Sequence, residues 1–361
     1  MSITQQDALV SPKALVRPTA TVQKLTRQFG LRVGQQHELT IRRLKRGDGY
    51  SFVRRNGRAI KDPATLARLK SLAVPPAYRE VRYAQRPNAH LQAVGRDAAG
   101  RLQYRYHRDW DKVREMRKAR RLMQLVTALP KIRRSVGQRL ATDQPSREFA
   151  LSAVIELVAR TAIRAGNDSY AKLHGSRGAT TLLKSHATIE GSSIALSFRA
   201  KGGKMVRKEC TAQSLVQAFQ LLLTLPGRRL FQYLEETGEV RPVTSAQVNA
   251  FLRDIAGVRI SLKDFRTLMA SAAVMESLAH VKPARSARAR NKQILEAVRV
   301  SADDLANTPA ICRKSYVHET IVTAFEDGVL ERFASKLKGC RSQATREQVL
   351  AQVIALAANG G

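Results

Sequence analysis

The hydrophobic pattern of the chain changes near Trp110, and this change constrains the fold more than any other feature. Between about Gly47 and His107 the chain is rich in turn residues and in short runs where apolar and polar residues alternate. From residue 111 onward, apolar residues recur mainly at helical spacing. Strands repeat every 2 residues and helices every 3.6 residues, so the two patterns indicate different structures. We predict an α+β chain in which a small antiparallel β-sheet domain precedes a mainly α-helical domain.

The strand-like region ends in a predicted hairpin. Turn residues at 95–100 separate an earlier apolar run from the segment 102–107. Within that segment Leu102, Tyr104 and Tyr106 fall on one face of the strand. Two interpretations stay open: the tyrosines are core aromatics of a half-buried strand, or they line a surface beside a sugar–phosphate backbone.

A small strand region interrupts the helical part of the chain. Ile194, Leu196 and Phe198 alternate with other residues, and a Gly-Gly pair follows them, which is a signal for a tight turn. Lys201 and Lys204 flank that pair and would lie at the tip of a hairpin. Lysines at such a tip are usually just solvated, so the pattern alone gives them no function.

Two predicted helices place arginines near their ends. The segment 146–163 has helical apolar spacing, and Gly166 follows it as a C-terminal stop, so Arg164 can leave the core and face a groove. Ser261 begins a capping pattern, which places Arg266 in the first turns of the next helix.

Further signals lie toward the C-terminus. The basic segment Lys282–Lys292 contains a proline and many small residues, and it predicts a flexible loop. Ser301 is interpreted as the cap of another helix. Thr308 and Pro309 fit the N-cap and the first position of a further helix. Cys312 within that helix is interpreted as a small buried hydrophobe.

These patterns divide the chain into four regions. We expect a basic and partly disordered N-terminal extension, a β-rich domain, a mainly α-helical domain that includes a small β-hairpin sheet, and a helical C-terminal tail. The expected boundaries are 1–45, 46–110, 111–330 and 331–361.

The charge of the chain indicates a polyanionic partner. The sequence has 63 Lys and Arg against 29 Asp and Glu, a formal net charge of +34. Such an excess of positive charge attracts nucleic acid, because phosphates that are neutralised by the protein release their counterions. An anionic membrane surface is the second candidate partner. No apolar stretch approaches the roughly 20 residues of a spanning helix, and the first residues lack the features of a secretory signal. We expect a soluble cytoplasmic protein.

Cofactor signals are missing from the sequence. The three cysteines form no Cys-x-x-Cys pair, and the seven histidines show no metal-ligand spacing. The closest segment to a phosphate-binding loop, residues 200–204, lacks the required glycine spacing. We therefore predict no disulfide framework, no metal and no nucleotide cofactor.

Tyr316 follows Arg313 and Lys314, and three interpretations suit such a tyrosine. It can be a surface residue, a platform for base stacking, or a nucleophile. A phenol with a pKa of about 10 attacks only a strongly polarised group such as a phosphodiester. Without a metal, arginines must stabilise the charge of the transition state and a lysine can protonate the leaving oxygen. Spacing alone does not choose these residues among 63 basic ones.

Several segments, taken together, resemble the type IB DNA topoisomerases of the poxvirus-like and bacterial branch. The order and spacing of the motifs make the resemblance specific, and it covers about residues 45 to 330. The segments are TAIRAGNDSY (161–170), FRAKGGK (198–204), LKDFRT (262–267) and NTPAICRKSY (307–316), with KDPATLARLKSLAVPPAYREV (61–81) and GRLQYRYHRDW (100–110) upstream.

The resemblance implies a role for each matching residue. Tyr316 corresponds to the attacking tyrosine, Arg164 and Arg266 to the two catalytic arginines, and Lys201 to the general acid. Tyr170 corresponds to a tyrosine that contacts phosphate near the site. Tyr104 and Tyr106 correspond to tyrosines of the strand domain that contact the DNA backbone, so the resemblance makes the β-rich domain DNA-binding and the helical domain catalytic. We add Lys204, Arg313 and Lys314 from the same segments as further DNA-binding candidates.

Asn307 stands where the poxvirus and eukaryotic enzymes have a histidine, and the bacterial branch resembles this chain in having asparagine. Either side chain can donate one hydrogen bond to a phosphate oxygen, but asparagine can never add charge. If residues 309–316 form one straight helix, Asn307 and Tyr316 lie about 10 Å or more apart along its axis. Both then reach one phosphate only through side-chain length or a bend.

The resemblance implies a protein that closes as a clamp around duplex DNA. It would relax supercoils without ATP through a 3′-phosphotyrosyl intermediate, strand rotation and religation, and we expect a nucleoid-associated monomer. One alternative is a tyrosine recombinase, although Lys263 occupies the place of the usual histidine in its His-x-x-Arg motif. The other alternative is a non-catalytic basic DNA-binding protein.

Overall fold

The computed structural model describes residues 20–340 and 342–359 of the chain. Residues 1–19, the first part of the predicted N-terminal extension, lie outside the described residues. The chain divides into two compact units between Arg117 and Lys118. Over the range that the structure describes, each helix is too short or too polar to cross a membrane.

The first unit is built on an antiparallel sheet of five strands in the order β2-β1-β3-β4-β5. One cluster under the sheet contains Ile41, Phe52 and Tyr83 among its buried residues. The expected boundary at residue 45 therefore cuts β1, and ordered structure begins earlier than the sequence suggested. The elements are α1 (Ala20–Gln28), β1 (Ile41–Arg46), β2 (Gly49–Val53), α2 (Pro63–Ser71), β3 (Arg79–Tyr83), β4 (Leu91–Arg96) and β5 (Leu102–Tyr106).

The predicted hairpin at residues 90–107 is confirmed as β4 paired antiparallel with β5. Tyr104 and Tyr106 are 39% and 41% exposed, so they are not core aromatics. Their rings stack on each other with centroids 6.3 Å apart, and Tyr106 also stacks on Trp110. The helix α3 (Trp110–Leu140) begins at that tryptophan and continues into the second unit.

The second unit is mainly helical, as predicted, and it contains a three-stranded sheet in the order β6-β7-β8. The elements after α3 are α4 (Arg147–Thr161), α5 (Asp168–His174), β6 (Ala187–Glu190), β7 (Ser193–Arg199), β8 (Met205–Thr211), α6 (Gln213–Thr224), β9 (Gln232–Leu234), β10 (Val240–Pro242), α7 (Ser245–Ala256), α8 (Leu262–Ala279), α9 (Ala287–Asp304), α10 (Pro309–Ser315), α11 (Glu319–Glu326), α12 (Ala334–Leu337) and α13 (Gln343–Asn359).

Two helices, α4 and α8, lie at the centre of this unit. Both are buried around most of their circumference, which is the pattern of a helix enclosed by others. Helices α6, α7 and α8 contact α4, while α9, α11 and α13 contact α8. The ends of these two central helices therefore have fixed positions, and both arginines singled out by the sequence lie at such ends.

Several local predictions are confirmed. Ile194, Leu196 and Phe198 are buried on one face of β7, and β7 pairs with β8 around the Gly-Gly turn. Thr308 caps α10, with Pro309 at its first position. Cys312 is fully buried.

Three local predictions are wrong. The helix α4 ends at Ala162, which adopts the left-handed conformation at φ 51°, and not at Gly166. The supposed flexible loop Lys282–Lys292 is helical from Ala287, because Ser286 caps α9 and long straight-chain side chains favour helix. Ser301 caps nothing, since it is buried within α9.

Candidate active site

Tyr316 lies at the C-terminal end of α10. Its backbone N–H donates to the carbonyl oxygen of Cys312, which completes the last helical turn. The side chain is only 9% exposed. A tyrosine that ends a short helix in this way is fixed through its backbone, and its ring is enclosed by the rest of the unit.

Arg266 lies directly beside this ring. Its guanidinium carbon is 4.8 Å from the ring centroid of Tyr316, a cation–π distance. Ser261 and Asp264 form a capping box at the start of α8, which fixes the turn that carries the arginine. Arg266 is 3% exposed.

Main-chain carbonyl groups hold the Arg266 guanidinium in place. It donates to the carbonyl oxygen of Ala162 and, at 3.1 Å, to that of Leu305. Ala162 is the left-handed residue that ends α4, so this unusual backbone conformation presents its carbonyl group to the arginine. Among the described residues, the Nε atom of Arg266 has no hydrogen-bond partner. A buried donor of this kind remains free to bind an anion.

Arg164 follows α4 by three residues and reaches Asn307. Its guanidinium donates to the Asn307 side-chain oxygen at 2.5 Å and to the Ala306 carbonyl oxygen at 3.5 Å. Ala306 is also left-handed, with φ 50°. The Asn307 amide nitrogen donates to the Leu305 carbonyl oxygen at 3.3 Å. Arg266 thus contacts both the Tyr316 ring and the Leu305 carbonyl group just before α10, while Arg164 contacts Asn307.

Two glycines fix the backbone of Arg164. A Cβ atom added to Gly178 would lie 2.5 Å from the Arg164 carbonyl oxygen, so only glycine permits this approach. The Ala179 N–H donates to that same oxygen at 2.7 Å. Gly166 has φ +94° and faces Thr180 and Thr181 at close range. This glycine is structurally required, although not as the helix stop that its position suggested.

The charges of this site act on the phenol. Burial works to raise the pKa of Tyr316, but Arg266, Arg164 and Lys263 together outweigh it, so the pKa lies below the ordinary value of 10. Burial lowers the pKa of Arg164, and the positive charge of Arg266 lowers it further. We call Tyr316, Arg164, Arg266 and Asn307 the tyrosine cluster. Cations crowded around a phenol with a lowered pKa stabilise a phenolate and can bind a phosphate.

Lys263 is a contributor that the sequence did not single out for this site. Its amino group lies 5.6 Å from the Tyr316 ring centroid. It precedes Arg266 by three residues on α8, and such residues share a helix face. That spacing could have identified Lys263 from the sequence once Arg266 was chosen.

Ser271 is the second contributor that was missed. Its hydroxyl donates to the Tyr316 carbonyl oxygen and accepts the His318 N–H, each at 3.1 Å. The Lys118 amino group donates to the intervening Val317 carbonyl oxygen at 2.6 Å. The helix that supplies Arg266 therefore also holds the backbone of Tyr316.

Strands β7 and β8 and the turn between them form a hairpin, residues 193–211, which we call the lysine hairpin. Lys201 and Lys204 lie at its exposed tip. The Lys201 amino group is 6.0 Å from the ring centroid of Tyr170. Ala200, next to it, lines a small cavity together with Arg164 and Arg266. The tip end of the hairpin therefore adjoins the tyrosine cluster at Ala200, while the Lys201 side chain itself lies against Tyr170.

The remaining candidates are more dispersed. Tyr170 is 52% exposed on α5. Arg313 forms an ion pair with Glu319 at 2.8 Å, and Lys314 is exposed on α10. Tyr104 and Tyr106 belong to the first unit. Among the described residues no group of three or more His, Cys, Asp or Glu side chains could hold a metal ion.

Comparisons with known proteins identify the family of the chain. Residues 104–344 match the family of the eukaryotic DNA topoisomerase I catalytic core, and residues 49–97 match the bacterial DNA topoisomerase IB N-terminal domain. The DNA topoisomerase 1B of Acanthamoeba polyphaga mimivirus is 28% identical over 284 residues, which cover 77% of this chain and 84% of the viral protein.

The chain belongs to the DNA topoisomerase I family, in its type IB class. It is therefore an isomerase whose substrate is DNA. The antiparallel N-terminal sheet followed by a helical catalytic unit is the fold that the sequence predicted.

Proposed function

We propose that the protein relaxes supercoiled duplex DNA by transient cleavage of one strand, with Tyr316 as the nucleophile. The observation that supports this most directly is the tyrosine cluster. Arg164 and Arg266 come from two distant parts of the chain, and both act on a phenol that lies at the end of a third. A structural tyrosine has no need of one buried arginine, one half-buried arginine and a lowered pKa.

The cleavage step follows from this arrangement. The phenolic oxygen of Tyr316 forms a bond to phosphorus, and the bond from phosphorus to the 5′-oxygen breaks. Arg164 and Arg266 stabilise the negative charge on the nonbridging oxygens. The 3′-phosphotyrosyl ester retains the energy of the broken bond, so no nucleotide cofactor is needed. The cut strand rotates, and the 5′-hydroxyl then attacks the ester and releases Tyr316.

Asn307 adds a neutral contact to the same phosphate in this proposal. Its side-chain oxygen accepts from Arg164, so its amide nitrogen is the atom left to donate. That nitrogen is at 3.3 Å from the Leu305 carbonyl oxygen, a long hydrogen bond that a phosphate oxygen can replace. We expect transition-state stabilisation to be weaker than with a charged side chain, but not lost.

Lys201 acts as the general acid in this proposal. It donates a proton to the 5′-oxygen as that oxygen leaves, and it recovers the proton during religation. Its present neighbour is the face of Tyr170, at 6.0 Å. The proposal therefore requires the exposed hairpin tip to turn toward a bound DNA strand.

DNA binding involves both units in this proposal. Tyr104 and Tyr106 of the first unit contact the sugar–phosphate backbone, and the two units close as a clamp around the duplex. Tyr170, Lys204, Arg313 and Lys314 bind phosphates near the scissile bond. We further propose that the protein acts as a monomer, prefers supercoiled DNA and works in the cytoplasm on the nucleoid.

The test is plasmid relaxation without ATP or Mg²⁺, followed by trapping of the covalent adduct on a suicide duplex and mapping of the attached residue. Tyr316→Phe should abolish both plasmid relaxation and formation of the covalent adduct. Tyr233→Phe is the matched control, since the Tyr233 hydroxyl accepts one long hydrogen bond of 3.4 Å, from Gln247, among the described residues. Tyr316→Phe protein that still forms the adduct would exclude the assigned nucleophile. Binding without any relaxation would favour the non-catalytic alternative, and joining of two defined sites would favour a recombinase.

A further inference from the structure

A second group of cations lies beside the tyrosine cluster, and none of the roles above uses it. Arg177 lines the same small cavity as Arg164 and Arg266. Within the described structure that lining has four cationic side chains, the fourth being Lys208, against the single carboxylate of Asp304. Lys208 and Asp304 already form an ion pair with each other. The three arginines therefore face a cavity with no free negative charge in its lining.

More positive charge lies on the other side of Arg177. Burial lowers the pKa of its guanidinium, and the charges of Arg229 and Arg228 lower it further. Asp168 is the carboxylate that opposes them, and it pairs with Arg229. Arg229 also donates to the Thr180 carbonyl oxygen at 2.9 Å, and Arg177 donates to the carbonyl oxygen of the next residue, Thr181, at 3.4 Å. These neighbouring contacts bring Arg228, which precedes Arg229 in the chain, close to Arg177.

Within the residues that the structure describes, neither the Arg177 nor the Arg228 side chain is tightly bound by other groups. The guanidinium of Arg177 makes a long hydrogen bond of 3.4 Å to the Thr181 carbonyl oxygen, and Arg228 is exposed. Like charges held close together raise the energy of the free protein, and a bound anion relieves this repulsion. The planar guanidinium of arginine can bind two oxygens of a phosphate at once, and phosphate is the anion that DNA offers.

The backbone shows which phosphate is within reach. The Arg177 N–H donates to the Arg199 carbonyl oxygen at 2.8 Å, and Arg199 lies two residues before Lys201. The next residue, Gly178, packs against the backbone of Arg164. Arg177 is thus fixed between the arginine that binds the scissile phosphate and the lysine assigned to the leaving oxygen.

We propose that Arg177 and Arg228 form a binding subsite for a DNA backbone phosphate on the leaving-strand side of the scissile bond. This inference rests on the proposed roles of Tyr316 and Lys201. After cleavage, the contact holds the strand with the 5′-hydroxyl close to the phosphotyrosyl ester. Its loss should impair recapture of that strand during religation far more than it impairs the first cut.

The experiment measures religation directly. The covalent adduct is formed on a suicide duplex, and an acceptor strand with a 5′-hydroxyl is added at increasing concentration. Arg177→Ala and Arg228→Ala should each raise the half-saturating acceptor concentration roughly tenfold, the effect of losing one charged hydrogen bond. Arg177→Lys should recover part of the loss. Arg332→Ala, which removes an exposed arginine of the same unit, should resemble the wild type.

A neutral phosphate analogue then identifies the contact. Methylphosphonate is placed at each of the first three phosphates of the acceptor strand in turn. At one of these positions, methylphosphonate should weaken acceptor binding by the wild type but not by Arg177→Ala. The variant already lacks the charge that pairs with that phosphate. Additive losses at all three positions, or an Arg177→Ala protein indistinguishable from Arg332→Ala, would overturn the inference while leaving the proposed function intact. A wild-type chain that forms no Tyr316 adduct would contradict the proposed function and this inference together.

Discussion

The tyrosine cluster and the lysine hairpin belong to the same helical unit, but the chain organises them to very different degrees. Arg266 is 3% exposed and bonded to two main-chain carbonyl groups, whereas Lys201 is exposed at a turn made by two glycines with positive φ. In the proposed mechanism, the groups that bind and attack the phosphate are therefore assembled before DNA arrives. The lysine proposed to protonate the leaving oxygen is not held in this way, so we expect its position to depend on the substrate.

The largest effect should come from the hairpin. Lys201→Ala removes the general acid, and such a loss slows cleavage by about 10²- to 10⁴-fold. A substrate with sulfur in place of the bridging 5′-oxygen should restore the rate, because a thiolate leaves without a proton. Single-turnover adduct formation on both substrates measures this. Equal defects on the oxygen and sulfur substrates would show that Lys201 does not protonate the leaving group.

The next effect should come from the tyrosine cluster. Arg266→Lys keeps a positive charge but loses the planar fork that bonds Ala162 and Leu305 and faces the phosphate. We expect cleavage to slow by about 10²-fold, as when one donor to a transition state is removed. The sulfur substrate should give no recovery here, which separates the two regions in one assay. Recovery would mean that Arg266 acts on the leaving oxygen instead.

The sequence predicted the members of both regions because several matched motifs occur in one order along the chain. It could not predict how they are held. Ala162 and Ala306 adopt left-handed conformations that alanine rarely takes, and the residue pattern around them does not predict these conformations. Arg177 was missed because its role depends on a cavity formed by distant segments.

The wrong local predictions have a similar origin. Gly166 was interpreted as a helix stop, whereas close packing against the loop at residues 178–181 is what requires it. The segment 282–292 contains enough helix formers to begin α9, although its small residues and proline suggested a loop. In both cases contacts with other parts of the chain, or competing local preferences, decided the structure.

A smaller effect should come from the support behind Tyr316. Ser271→Ala removes both contacts of 3.1 Å that hold the backbone at Tyr316 and His318. We expect cleavage to slow roughly tenfold, since a loosened nucleophile spends less time in position. Noncovalent DNA affinity should change little, and the thermal midpoint of unfolding should fall by only a few degrees, as expected when two buried hydrogen bonds are lost in a chain of this size. Ser271→Thr keeps the hydroxyl and should recover part of the rate if the site accommodates the methyl group. A matching loss of stability and rate in both variants would indicate a packing role only.

The smallest effect concerns the charge on Lys263, and it tests whether the tyrosine cluster tunes its own phenol. Lys263 lowers the pKa of Tyr316, so Lys263→Gln should raise that pKa toward the ordinary value. In the proposed mechanism the Tyr316 phenolate is the nucleophile, so the rising limb of the cleavage rate against pH should move to higher pH, by less than about one unit. Because Lys263 is exposed, the difference between variant and wild type should shrink as salt is raised. Lys201→Ala should lower the rate without moving this limb, since no charge beside the phenol has changed. A limb that stays in place in Lys263→Gln would leave Arg164 and Arg266 as the groups that set the acidity of Tyr316.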